Sequence, residues 1–264
     1  MRAYPFLIAF FSISLSCHSS DVLQECVRSS AGSCLIYDRG AESVSIAEQE
    51  DKSLHLTIGN HYLAKELSHY RLETVLPTRF LVFAANMEWF GYELYNNLSL
   101  RTAIGKRISG SWSLGINLNL KSIYYEGLLQ RETFLICDLF AKYHNESPHE
   151  FYTKAENLFG AGLRSATDQF ISEGRGFTIG WLTHFSEHVS CAMETRWNTL
   201  ESWRIHFGAE YDMGKFILRC GASGPPIIPS FGVGFVQKNF SFDFAARWTR
   251  NLGYVLDCGI SHLF

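Results

Sequence analysis

Alternation of apolar and polar side chains, sustained over more than half of the chain, restricts this sequence to β-structure. The pattern is clearest over 239–264. There Phe240, Phe242, Phe244, Ala246 and Trp248 alternate with Ser241, Asp243, Ala245, Arg247 and Thr249. A period of two puts successive side chains on opposite faces, so one face is aromatic and apolar and the other polar and charged. After a turn around 251–253, Tyr254, Leu256, Cys258, Ile260, His262 and Phe264 oppose Val255, Asp257, Gly259, Ser261 and Leu263. Two neighbouring strands of about ten residues with this division match a transmembrane β-barrel, which needs lipid outside and a polar lumen inside.

The same signal recurs upstream in runs at 53–60, 66–76, 78–87, 94–107, 111–125, 132–143, 150–159, 176–185, 188–197, 203–212, 215–222, 230–236, 240–249 and 254–264. These runs predict an all-β fold, a transmembrane antiparallel β-barrel of about 14 strands. In 203–211, Trp203, Ile205, Phe207, Ala209 and Tyr211 oppose Arg204, His206, Gly208 and Glu210. A soluble sandwich produces the same alternation with the burial reversed, so alternation alone does not separate the two. Connection lengths favour the barrel, which has short turns at one end and long loops at the other. With the C-terminus periplasmic, the short links at Pro77, 107–110, 186–187, 213–214 and 237–239 share one end. The longer links at 126–131, 160–175, 198–202 and 223–229 fall at the other, while 144–149 and 250–253 break the rule. Trp89, Phe90, Tyr124, Tyr125, Trp197, Trp203 and Phe264, near strand ends, suit an interfacial aromatic girdle.

Ahead of the barrel, Arg2, the apolar stretch 6–15 and the small residues Ser14 and Ser16 read as a signal peptide over 1–16. Cys17 follows a lipobox-like Ser-Leu-Ser run in which Leu is displaced by one place. Residues 17–52, polar and weakly periodic, are expected to form a periplasmic leader or small plug, and 53–264 the barrel. No segment supplies the 18 or so consecutive apolar residues of a spanning helix. Of seven cysteines, Cys26 and Cys34 could close a small loop, while Cys137, Cys191, Cys220 and Cys258 lie in strand-like runs as small hydrophobes. A net charge of -3 without a long basic run leaves nucleic acid no electrostatic footprint.

The segments TAIGKRISGSWSLGINLNL, RIHFGAEYDMG and PSFGVGFVQKNFSFDFAARW, with a last strand ending in Phe264, resemble a family of Bacteroidetes outer-membrane barrels related to the FadL-type and PorV-like proteins. The resemblance implies a fourteen-stranded barrel in the outer membrane of a Gram-negative bacterium. It also implies hydrophobic-compound uptake or a part in type IX secretion, with Phe264 as the terminal aromatic read by the assembly machinery. The chain departs from the family at RGAESVSIAEQ, where an Asn-Pro-Ala-Gly-like segment usually stands.

Fourteen charged or titratable side chains take inward parity: Arg71, Glu73, Arg101, Lys121, Asp138, Glu194, Arg196, Arg204, His206, Glu210, Arg219, Asp243, Arg247 and Asp257. They form either a selective polar pathway or a cross-strand ion network that fills the lumen. The densest cluster joins Arg204, His206 and Glu210 on one strand to Glu194 and Arg196 on the next. In the run 132–143 both faces are apolar, Phe134, Ile136 and Phe140 against Leu135, Cys137, Leu139, Ala141 and Tyr143. Part of the lumen is therefore hydrophobic, to meet either a greasy ligand or the N-terminal segment. No Gly-x-Ser-x-Gly, His-Glu-x-x-His or zinc spacing occurs, so no enzyme, cofactor or metal is expected. His144, His149, His184, His188 and His262 fall mostly at turns or strand ends, as solvated imidazoles. The expected partners are outer-membrane lipid, and a hydrophobic ligand or secretion-system subunits. A sealed adaptor that binds a partner through its outer loops is the alternative to transport.

Overall fold

The computed structural model describes residues 26–126, 131–145, 147–164, 170–172, 174–200, 203–250 and 252–264. The expected signal peptide over 1–16 and Cys17 lie outside them. Among the described residues sixteen strands follow a short helix, α1 (Cys26–Ser30). They are β1 (Ser53–His61), β2 (Ser68–Pro77), β3 (Val82–Tyr92), β4 (Tyr95–Arg107), β5 (Trp112–Tyr125), β6 (Glu132–His144), β7 (His149–Glu156), β8 (Gly162–Arg164), β9 (Phe170–Ser172), β10 (Gly176–His184), β11 (Val189–Asn198), β12 (Arg204–Asp212), β13 (Phe216–Gly224), β14 (Ile228–Gln237), β15 (Phe240–Thr249) and β16 (Gly253–Leu263). Fourteen form one closed antiparallel barrel in which each strand pairs with the next, β7 with β10 and β16 with β1. The closing seam runs from Ser53 opposite Leu263 to His61 opposite Val255. The hairpin β8–β9 forms a separate two-stranded sheet in the connection between β7 and β10, with β8 against β6.

The burial pattern excludes a soluble sandwich. Leu54, Leu56 and Ile58 are 40–47% exposed on the outside of β1, while Ser53, His55 and Thr57 between them are buried. The same inversion holds around the ring, with Met87, Phe151, Ile205, Leu218, Phe242 and Ile260 turned outward. An apolar outer face is unfavourable in water and favourable in hydrocarbon, and closure leaves no unpaired sheet edge in the lipid. Among the described residues no helix is long and apolar enough to cross a membrane.

The observed strands start and stop where local hydrogen bonding dictates. β2 begins at Ser68 because Lys65–Leu67 form a 3-10 turn. β3 begins at Val82 because the Thr78 N–H donates to the Leu81 carbonyl at 2.8 Å, closing a turn after Pro77. The connection expected over 223–229 shrinks to 225–227, as β13 runs on to Gly224. Phe90 does not join the girdle, since side chains at adjacent strand positions take opposite faces. With Trp89 on the outer face, Phe90 is buried, edge-on to His61 at 5.6 Å and near Tyr95 at 6.0 Å.

Residues 26–49 run inside the barrel. Helix α1 ends in a C-terminal cap, with the Ser33 N–H donating to the Arg28 carbonyl at 3.0 Å and Gly32 at φ +66 in the left-handed region that glycine adopts without strain. Short 3-10 turns follow at Leu35–Tyr37 and Ile46–Glu48. Val27, Leu35, Val44 and Ile46 make one apolar cluster with Val75, Ala103, Phe140 and Leu182 of the wall. Phe140 thus packs against the N-terminal segment. Outward, Leu135 and Leu139 face lipid. Cys34 is a free, fully buried thiol. Replacing Phe140 by Ala is expected to cost about 3–5 kcal/mol, read as a lower urea midpoint for the folded barrel; an unchanged midpoint would show that Phe140 fills no core.

Candidate functional site: the charged lumen

The inward parity of each strand determines which charges meet, and the cross-strand register determines their partners. Glu194 on β11 lies opposite His206 on β12. Fully buried, Glu194 accepts hydrogen bonds from the Leu35 N–H at 2.8 Å, the Tyr152 hydroxyl at 2.9 Å and Arg196 at 2.9 Å. His206 Nδ1 lies 3.0 Å from the Gly32 carbonyl. Arg204, half-buried, stands opposite Arg196. Both Glu194 and His206 are therefore turned toward the inner segment.

Glu210 belongs to a different group, although it shares the β12 face with Arg204 and His206. Its carboxylate accepts from Arg219 on β13 at 2.7 Å, and Arg219 bonds Asp243 on β15 at 2.7 Å. Arg39 of the inner segment completes the row, 3.7 Å from Asp243. The single cluster expected from the sequence is thus two. Glu194, braced by Arg196, and His206 hold the segment at one level, and Glu210, Arg219 and Asp243 make a ladder at another.

A third group surrounds the turn of the segment over 38–42. Arg71 pairs with Glu73 at 2.9 Å and with Asp38 at 3.6 Å. Glu42 sits between Arg28 and Arg101, and Glu73 accepts the Ala41 N–H. Burial would raise the Glu42 carboxyl, but Arg101, Arg28 and Arg71 outweigh it and hold Glu42 well below the usual carboxylate range. Asp38, wholly enclosed, is pushed up by burial against the pull of Arg71. Burial likewise pushes the Cys34 thiol well above its ordinary value, which leaves it protonated and unreactive.

The remaining expected residues also point inward. Asp257 on β16 accepts from the Ser29 hydroxyl at 2.6 Å and lies 3.4 Å from His69. Lys121 is buried on β5 opposite Ser99 and Phe134, and Arg247 is buried on β15 opposite Ser230 and Val255. Sequence reasoning overlooked the wall residues Lys142 and Lys154. Lys142 bonds Glu48 of the segment and lies 2.7 Å from Glu150, while Lys154 lies 3.2 Å from Asp138. Their alternation in β6 and β7 was the available signal. For Arg28, Asp38, Glu42 and Glu48 there was none, because the inner segment has no period. Among the described residues no group of three or more His, Cys, Asp and Glu could hold a metal ion.

No family model and no curated protein matches this chain. Solved structures do. A FadL homologue from Pseudomonas aeruginosa superposes with a TM-score of 0.67 over 90% of this chain and 98% of that one, at 10% identity. The KdgM porin matches at TM-score 0.47 and 9% identity over 80% of this chain and 99% of that one. A mutant of the Rh. blastica porin matches at 0.46 and 11% over 81% and 99%. At these identities the FadL homologue establishes the fold, a closed fourteen-stranded transmembrane barrel.

Proposed function

We propose that this chain is an outer-membrane barrel of a Gram-negative envelope that transports small or hydrophobic molecules past an N-terminal plug, which includes residues 26–49. The observation that carries this reading is the inversion of burial: a lipid-compatible outer face encloses a charged lumen built around that segment. The ion pairs Arg71–Asp38, Arg101–Glu42 and Lys142–Glu48 join plug to wall. Transport then requires some of these contacts to exchange. A second reading is favoured by the same contacts. A lumen crossed by so many ion pairs suits a sealed barrel that binds a partner, such as a secretion subunit, through outer loops including 160–175. Purified protein in liposomes separates the two. Transport predicts osmotic swelling in glucose or uptake of laurate above that of protein-free vesicles. Neither flux, with the barrel folded by its heat-dependent gel shift, rejects transport and leaves the sealed barrel.

A further inference from the structure

The inner segment meets the wall in two different ways. Over 38–42 it reaches the barrel chiefly through charged side chains, while at Ile46 and Ala47 it packs on Gly105 of β4. Over 30–32 it lies directly on the sheet. Three wall positions there are glycine, Gly208 on β12, Gly221 on β13 and Gly232 on β14, and Gly208 pairs with Gly221 across the strands. A Cβ at Gly221 would stand 2.5 Å from Gly32 Cα and 2.6 Å from the Phe207 carbonyl oxygen. One at Gly208 would run into the Ala31 carbonyl, and one at Gly232 into the Ser30 side chain. The backbone atoms at Gly208 and Gly221, and the Ser30 Cβ at Gly232, cannot swing aside as the end of a long side chain can, so these positions accept no larger residue while the segment is in place.

Hydrogen bonds fix the same stretch. Ser230, opposite Gly221, accepts the Gly32 N–H at 3.0 Å and donates to the Ser30 carbonyl at 3.1 Å. His206 reaches the Gly32 carbonyl from the other side. Shape and polar pairing therefore converge on three residues of the segment, Ser30, Ala31 and Gly32.

We propose that Gly208, Gly221 and Gly232, with Ser230, are a seat that retains residues 30–32 in the lumen throughout transport. Cargo passes beside a docked segment, and the part that shifts is the charged stretch over 38–42, whose side-chain pairs can exchange. The seat residues are positioning residues. Their retention during transport rests on the transport reading above; the docking itself does not.

Two experiments on the full-length protein test this. Gly221→Val should unseat the segment. Its expected signature is a several-fold rise in potassium chloride conductance across planar bilayers, with new trypsin cleavage at Arg28 and the heat-dependent gel shift retained. A folded Gly221→Val barrel with unchanged conductance and no new cleavage overturns the seat. Should that variant fail to fold, Ser230→Ala removes only the hydroxyl and is expected to show the same changes at smaller size; no change there also overturns it. The second experiment joins Ser30→Cys to Ser230→Cys by oxidation. Flux of glucose or laurate should be the same oxidised and reduced. Loss of flux on oxidation, restored by reductant, would mean that the segment leaves its seat. Absence of flux in the unmodified protein would defeat the transport reading alone, since the conductance and cleavage results stand without it.

Discussion

Glu194→Ala is expected to destabilise the folded barrel by about 3–5 kcal/mol, the usual cost of removing one partner from a buried ion pair. The carboxylate has no exposed surface, and it satisfies a backbone N–H of the inner segment, a tyrosine hydroxyl and a guanidinium at once. Its loss strips Arg196, buried beside it, of this carboxylate and orphans the Leu35 N–H, each a desolvated group with an unfavourable alternative. The measurement is the urea dependence of the heat-shifted band. Glu194→Gln retains an acceptor for Leu35 but not the charge, and its midpoint should fall between those of the wild type and Glu194→Ala. Equal midpoints for all three would mean that the Glu194 network contributes nothing to holding segment and wall together.

Met87→Arg is expected to impair membrane assembly by about 2–4 kcal/mol, the cost of a cation on the lipid face near the midplane of a barrel. Met87 is 51% exposed at the middle of β3, next to Glu88, which is buried in the lumen. In a water-soluble protein the same change at an exposed site would be nearly neutral. Yield of heat-shifted protein in the membrane fraction is the readout. Wild-type yield for Met87→Arg would contradict the lipid-facing assignment of the outer surface. The substitution thus tests the assignment that alternation alone leaves open.

Much of the barrel was legible because strand periodicity is local. The run 240–249 coincides with β15, and Asp243, Arg247 and Asp257 take the inward parity expected of them. Ends were less legible, since turns such as Thr78 to Leu81 depend on side-chain and backbone bonds that periodicity does not report. The charged cluster on β11 and β12 was half legible. Parity placed Glu210 with His206, but only the register with β13 shows that Glu210 belongs to Arg219.

By itself the sequence determined the number of barrel strands, their approximate bounds and the side of each on which charge accumulates, because those follow from a period of two along a single chain. Three features were decided only by tertiary structure. Closure of β16 on β1 turned the apolar face outward, since a ring has an inside that an isolated strand lacks. Register chose the ion-pair partners. The path of residues 26–49 came from the lumen itself: a segment without periodicity takes its shape from the glycines, carboxylates and guanidinium groups that surround it.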